Sequence, residues 1–454
     1  MNTGILVLTG EIELMSPTLI GCGKNEFSDI DVLVDADDMP YLPATSLVGV
    51  LQHSLVSSEI STDFSRWFWG YSPKNSAEEG RQSALRCSDA VCVSPRKIVV
   101  RDGVKIDHVT GLAQAAGKYD YQVVERGARF RLNLEIDFTD TYAPQAKRML
   151  RTLFDALSSG AIRIGAKTTS GLGAMQLLKP TCRLYNLSFT RKEHVAAWMT
   201  RNLSLAFPIQ PEDLGQVFPI QVPQFTLNAS FWLRNSLIIR SYSADPKMPD
   251  ATHLTSNGTP VLPGTSLKGA IRARAERIVN TLAAEPGSLL TDLFGYVETD
   301  MPSPGKARKK PKQPKARKGK LLVQETELPE FVAELQNRIR IDRFTGGTID
   351  AALFDSMPLF GGKPDKIMHL KMQMDRCEDY EIGLLLLVLK DLWTGDVAIG
   401  GEKNVGRGVL QGIEAILSWK DTQIRITEDF GELAEQNRNR LEGYVKALHN
   451  KLRA

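Results

Sequence analysis

Cysteine is scarce in this chain: Cys22, Cys87, Cys92, Cys182 and Cys377 are the only five in 454 residues, and no two form a Cys-x-x-Cys pair. The six histidines are scattered, so neither a disulfide framework nor a zinc ribbon is expected, and free thiols fit a reducing cytoplasm. Long apolar runs are missing too. The opening stretch, MNTGILVLTGEIELM, has no basic leader and is broken by Glu11 and Glu13, which argues against a signal peptide or a membrane span. What remains is ordinary for a water-soluble protein, 42% hydrophobic and 24% charged residues, in a chain long enough for two cores.

Acids are absent from one segment. Residues 306–320, KARKKPKQPKARKGK, hold nine Lys/Arg and no Asp or Glu, so the net +3 of the whole chain becomes −6 for the remainder. Pro, Gly and Lys cannot bury a core, and a mobile loop is expected. It reads either as a solvated linker or as a phosphate-seeking arm whose affinity falls with salt. Its presence in only one half of the chain favours the arm.

That the chain has halves follows from its repeats. LPATSL at 42–47 returns as LPGTSL at 262–267, and three landmarks follow in the same order. Trp69-Gly70 matches Phe294-Gly295, Ile106-Asp107-x-x-Thr110-Gly111 matches Ile341-Asp342-x-x-Thr345-Gly346, and Ile164-Gly165 with Gly171-x-Gly173 matches Ile399-Gly400 with Gly406-x-Gly408. The separation grows from 220 residues at Leu47/Leu267 to 235 at Asp107/Asp342 and then stays at 235, which places insertions in the second copy before Asp342. A period this long is a whole domain, repeated in tandem.

Each copy opens on a strand-like alternation, Ile5 to Leu14 and Thr226 to Leu233. A hairpin is expected next, from 31–34 turning at 36–38 to Tyr41-Leu42, and from His253-Leu254 turning at 256–258 to Val261-Leu262. Thr45, Ser46, Thr265 and Ser266 read as caps of helices over 47–57 and 267–282. A later strand (130–134 or 367–371), helix (146–157 or 384–392), glycine-rich loop and closing strand complete the unit. Strand, helix, strand, strand, helix, strand is the ferredoxin-like order. We expect an α+β protein of two tandem RRM/ferredoxin-like domains with thumb hairpins and loop insertions. The domains are 1–188 and 225–426, the second with a basic insertion at 297–320. A connector at 189–224 carries a helix near 194–203, and an amphipathic helix closes the chain within 427–454.

Two features suit phosphate chemistry. The helix starts at Thr45-Ser46 and Thr265-Ser266-x-Lys268 present amides and hydroxyls where a helix attracts anions. The loops Gly165 to Gly173, with Lys167, and Gly400 to Gly408, with Lys403 and Arg407, allow close backbone approach; alone such Gly-x-Gly pairs are mostly turns, but here they recur with the other landmarks.

PYLPATSLVG, IDHVTG and IGAKTTSGLG, repeated as PVLPGTSLKG, IDRFTG and IGGEKNVGRG, resemble the RAMP superfamily of CRISPR proteins, and among them the backbone subunits of type III effectors. Two fused copies resemble the tandem subunit of the type III-D branch. The resemblance implies a cytoplasmic subunit that grips guide RNA (crRNA), pairs it with target RNA and touches other effector subunits, with no membrane partner. Thr45, Ser46, Thr110, Gly165, Lys167, Gly171, Gly173, Thr265, Ser266, Lys268, Arg343, Thr345, Gly400, Lys403, Gly406, Arg407 and Gly408 are then the RNA-contacting candidates. It also implies thumbs after each Thr-Gly, at 112–125 and 347–360, where Tyr119, Tyr121, Phe354 and Met357 either face RNA or pack on their own domain.

In that family an aspartate on the loop before the hairpin cuts the target. Registered on the hairpin, this is Asp29, or Asp31 if the gap shifts by two, and Asp250 in the second copy. Both loops depart from the family's D-x-P-V-L-R-D, with Asp31 or Thr252 in place of proline and Val34 or Thr255 in place of arginine. The implied activity is metal-dependent endonuclease action at two sites, with Asp29 and Asp250 on Mg2+ or Mn2+. The alternatives are a non-catalytic guide-binding scaffold and a guide-processing nuclease. The last usually leans on histidine, and neither His108 nor His253 recurs, so both are expected to be structural or RNA-contacting.

Overall fold

The computed structural model describes residues 3–23, 28–73, 79–107, 110–220, 224–241, 247–283, 288–297, 316–361, 366–428 and 433–453. His108 and the basic segment 298–315 lie outside these. The chain folds as two compact units, one made of Met1–Ile106, Ala113–Thr168 and Leu172–Val222, the other of Asp107–Leu112, Thr169–Gly171 and Pro223–Ala454.

The first copy runs β1 (Gly4–Leu14), α1 (Ala44–Ser54), α2 (Thr62–Trp69), β2 (Leu85–Cys87), a hairpin of β3 (Ile98–Ile106) and β4 (Ala113–Val124), then β5 (Arg129–Phe138), α3 (Ala143–Ser158), β6 (Met175–Leu177) and β7 (Arg183–Ser188). β1 lies between β5 and the β6/β7 pair, and β2 joins the far side of β5, all antiparallel. This is the ferredoxin-like strand order expected from the sequence. Alternation decides the faces: Leu6, Leu8, Ile12 and Leu14 of β1 enter a core with Phe130, Leu132 and Leu134 and with Met149, Leu150, Leu153 and Leu157 of α3. The uninterrupted run Ile5 to Leu8 has its own explanation. Ile5 and Val7 point the other way and cluster with Leu187, Ala197 and Ala206, so the connector's helix α4 (Lys192–Met199), shorter than expected, seals the opposite face.

The second copy repeats the plan as β8 (Phe225–Leu233), α5 (Gly264–Leu282), β9 (Leu321–Val323), a hairpin of β10 (Gln336–Ile341) and β11 (Thr348–Met357), β12 (Ile367–Met374), α6 (Asp379–Thr394) and β13 (Leu410–Trp419). Its sheet runs β9, β12, β8, β13, with β14 (Thr422–Thr427) added at the edge. The outer face of β8 carries Thr226, Asn228 and Ser230 instead of aliphatics. The last helix, α7 (Glu435–Arg453), buries Tyr444 and Leu448 against the core, as its apolar spacing predicts. It crosses α6 so closely that a Cβ on Gly383 would fall 2.2 Å from the Tyr444 carbonyl oxygen. Among the described residues no helix is long and apolar enough to cross a membrane.

Three local expectations are corrected. The hydroxyl residues do not cap the helices: Pro43 and Pro263 occupy the cap positions, and neither makes a side-chain cap bond. The first free amide of α1, on Ala44, instead donates to the Asp89 carboxylate at 2.7 Å. The first hairpin forms its turn, with Asp35 N–H bonded to the Met39 carbonyl at 2.9 Å, but its arms pair elsewhere, Asp31–Val32 with Gly21–Gly23 and Tyr41–Leu42 with Ala90–Val91. In the second copy the turn at Asn257-Gly258, both with positive φ, does pair Thr255–Ser256 with Thr259–Leu262, as a tight hairpin turn requires. Finally, the end of the basic segment is held in place. Ala316–Lys318 pairs with Gly295–Val297, Arg317 bonds Asp292, and Lys320 Nζ donates to buried Glu381 at 2.8 Å.

Candidate nucleic-acid interface

The I-D-x-x-T-G motif turns out to be the tip of each thumb, not the residue run before it. In the first copy it closes the β3–β4 hairpin: Asp107 Oδ1 accepts from Thr110 N–H at 2.8 Å and from the Thr110 hydroxyl at 3.0 Å, and the Asp107 carbonyl accepts from Gly111 N–H at 2.9 Å. The β10–β11 tip repeats this, with Asp342 Oδ1 accepting from Thr345 N–H at 2.8 Å and its hydroxyl at 3.1 Å. Gly111 and Gly346 take φ of +70° and +69°, a conformation open to glycine. Amide donors from Thr345 and Phe344 hold the Asp342 carboxyl below the ordinary carboxylate range. Around these tips Ile106, Leu112, Ile341 and Phe344 are exposed, Phe344 almost completely, at 99%. The expected thumbs are therefore the second arms of longer hairpins. Arg343, at the second tip, is exposed.

The loop aspartates sit at the bases of the same hairpins. Asp29 N–H donates to Asp120 Oδ1 at 2.9 Å and Asp120 N–H returns a bond to Asp29 Oδ2 at 3.4 Å. Asp250 and Asp355 make the same exchange at 2.7 and 3.2 Å. Asp31 is buried, its carboxylate bonded by the Ser28 hydroxyl. Asp29 and Asp250 are thus structural equivalents, each spending carboxylate oxygens on the backbone of the thumb. Among the described residues no three Asp, Glu, His or Cys side chains converge as a metal-holding group. Asp120 and Asp355 were missed in the sequence, although the constant 235-residue offset pairs them.

In the glycine-rich loops Gly165, Gly171 and Gly173, like Gly400, Gly406 and Gly408, all adopt positive φ. Their crowding is against the protein's own backbone: a Cβ would fall 1.9 Å from the Ile164 carbonyl oxygen at Gly173 and 1.8 Å from that of Ile399 at Gly408. Between these glycines one non-glycine residue per copy is also left-handed, Lys167 at φ 55° and Glu402 at φ 54°. Lys167 Nζ donates to the Tyr119 hydroxyl at 3.0 Å and lies 4.2 and 4.0 Å from the ring centres of Tyr119 and Tyr121. Glu402 instead accepts from Arg240 at 3.1 Å and Arg407 at 2.8 Å and forms an ion pair with Arg338 at 2.7 Å. Burial works to raise the Glu402 carboxyl, but Arg407 and Arg240 bonding, with the charge of Arg338, holds it below its ordinary range. Lys403, next to Glu402, is exposed.

Of the other candidates, Thr45 is exposed and Ser46, Thr265 and Ser266 are half-buried, all in first helical turns. Lys268 turns inward. Its amine donates to the Leu321 carbonyl at 2.8 Å, and burial, with Arg272 and Lys318 nearby, pushes it down to about 8. His253 is buried, receiving Ile239 N–H on Nδ1 at 3.3 Å and facing the Val261 carbonyl with Nε2 at 2.9 Å; desolvation lowers its pKa, so it is a neutral structural residue.

Two copies of one strand order, each with a thumb tip and a glycine-rich loop, agree with a family model that matches the chain twice. The RAMP superfamily model aligns with residues 11–176 and 234–411. The chain belongs to the RAMP superfamily. The first match runs from within β1 to β6, and the second from just after β8 to the start of β13. Among curated proteins none matches the chain. The two RAMP domains place the thumb tip, the aspartate latch and the glycine-rich loop in corresponding positions, joined by the same chain order.

Proposed function

We propose that this protein is a backbone subunit of a type III CRISPR effector, resembling the tandem subunit of the III-D branch, whose two RRM-like domains bind guide RNA without cutting it. One observation carries the non-catalytic part: the carboxylates of Asp29 and Asp250 accept backbone N–H groups from Asp120 and Asp355, which makes them latches between the loop and the thumb base. The RNA part rests on family membership and on exposed thumb tips flanked by Arg343, with Lys403 exposed on the second glycine-rich loop. Guide phosphates and sugars are the expected contacts, base pairing supplying the sequence choice. Its setting is the cytoplasm, with target RNA and other effector subunits as partners.

The same aspartates favour a second reading, target cleavage. A matching carboxylate pair in both domains would suit Mg2+ or Mn2+ if RNA phosphates supplied the remaining oxygens, since Mg2+ commonly uses only one or two protein carboxylates. The test is to assemble the complex with guide RNA and map products of a labelled complementary target, using Asp29, Asp31 and Asp250 changed singly to Ala and to Asn. Asn keeps an oxygen that can accept the neighbour's N–H while losing the charge. A scaffold gives no product that depends on these residues. Loss of one specific cut in Asp29→Asn or Asp250→Asn, with guide binding intact, would overturn the scaffold reading.

A further inference from the structure

Lys167 is a cation that the protein holds in place without neutralising. It keeps a left-handed backbone in a loop that uses glycine at its other positive-φ positions, Gly165, Gly171 and Gly173. That conformation is costly for a residue with a Cβ, so the side chain has a use that offsets the cost. One donor of its amine goes to the Tyr119 hydroxyl, and the amine lies close to the ring centres of both Tyr119 and Tyr121. Among the described residues it has no carboxylate partner.

The tyrosines form a bed for it. They stand two apart on β4, so both rings face one side of the hairpin, their centres 5.9 Å apart and their planes 26° from parallel. Tyr121 is buried at 3% exposure. Tyr119 lies over Gly103 of β3, where a Cβ would fall 2.3 Å from the Tyr119 Cζ, so the ring needs a glycine opposite it. Other cations of this hairpin meet acids instead, Arg101 with Glu125 at 3.8 Å and Lys118 with Asp102 at 3.5 Å. The distinction decides what the lysine can do. A carboxylate cancels an ammonium's charge, whereas an aromatic face and a phenol oxygen fix its position and leave the full charge in place. An ammonium has three donors, so a fixed and uncancelled one is suited to receive an anion.

We propose that Lys167 binds a phosphate of the guide RNA, with Tyr119 and Tyr121 as the positioning residues that hold its amine. This rests on the guide-binding reading above and names one contact of the first domain for it. The second domain has no counterpart, because Glu402 stands at the corresponding place. The two domains therefore grip the RNA backbone unequally at this point of the loop.

The experiment is fluorescence anisotropy of the full chain with a fluorescein-labelled single-stranded RNA over a salt series, with a thermal melt of every variant. Lys167→Met keeps a side chain over the rings without the charge. Lys167→Gly removes the side chain but relaxes the left-handed backbone, so its fold is retained. Each should bind about five- to tenfold more weakly, with the slope of log affinity against log salt shallower by about 0.7, the loss of one phosphate contact on a single strand. Tyr119→Phe, which keeps the ring, should stay within about twofold of wild type. Tyr119→Leu should weaken binding about threefold alone but under about 1.5-fold in the Lys167→Gly background. A purely structural lysine would change the melting temperature and leave the salt slope alone. Unchanged affinity and slope in folded Lys167→Met or Lys167→Gly, with wild type binding normally, overturns this inference alone. An equal Tyr119→Leu loss in both backgrounds overturns the positioning role. Absence of salt-dependent RNA binding by wild type overturns the inference together with the reading beneath it.

Discussion

Lys167 and Glu402 occupy the same place in two copies of one loop, with φ angles 55° and 54°, yet carry opposite charge. Each has neighbours of the complementary kind. The lysine lies on two tyrosines of its thumb, Tyr119 and Tyr121, and the acid gathers three arginines, one of them from its own thumb. Backbone shape in the two domains is thus fixed by glycines that cannot be replaced, while the side chain they present has been free to change with its surroundings. The electrostatic task of the loop differs between copies even though its architecture does not.

The comparison breaks most severely if the charge is exchanged in the second copy. Glu402→Lys leaves buried Arg407 facing a like charge and should destabilise by about 3–5 kcal/mol, measured by urea titration, because an uncompensated buried charge is left behind. Lys167→Glu, at a half-buried site over aromatic rings, should cost only about 1 kcal/mol. Equal losses at the two sites would mean that the neighbours do not set the difference.

The glycines test the other side. Gly173→Ala and Gly408→Ala should each cost about 3 kcal/mol, combining a left-handed backbone with overpacking against a carbonyl oxygen. Gly401→Ala, whose nearest neighbouring atom is 3.6 Å away, should stay within about 0.5 kcal/mol. A tolerant Gly408 beside an intolerant Gly173 would show that the two loops are not equivalent after all.

Acid separates the copies more gently. The folded Glu402 pKa lies below its ordinary 4.5, so its contribution is complete above pH 4.5 and is lost as pH falls through the depressed folded value. Urea midpoints measured from pH 5.5 to 3 should fall less steeply for Glu402→Gln than for wild type. Matching slopes would remove Glu402 from the acid response. The smallest effect is expected at the thumb tips, where Thr110→Val and Thr345→Val each lose two exposed hydroxyl bonds, one donated to the aspartate and one accepted from a backbone N–H, together worth about 1 kcal/mol. Here the copies should behave alike.

The repeat spacing makes the fold legible in the sequence itself. The strand order followed from two runs of alternation and two helices per copy, and Asp342 and Gly408 could be placed by counting 235 residues. The site was less readable, because its partners are remote in the chain. Nothing local in Ser28-Asp29-Ile30 announces a bond to Asp120, and Glu402 looks like a surface acid until Arg240 and Arg338 are brought to it. Thr45 and Ser46 misled for a related reason: a hydroxyl before an apolar run suggests a cap, but an aspartate 45 residues away supplies that acceptor to Ala44.

The reciprocal exchange between Asp29 and Asp120, and between Asp250 and Asp355, has a consequence for how this protein can diverge. Each residue is at once donor through its backbone and acceptor through its side chain, so a change at one leaves the other's amide seeking a partner. Substitution at one member of a pair should be inherited only alongside change at the other, and the two pairs, lying in separate domains, are free to drift independently. Correlated variation between a loop and a strand about one hundred positions apart would then be the historical imprint of a bond exchanged in both directions.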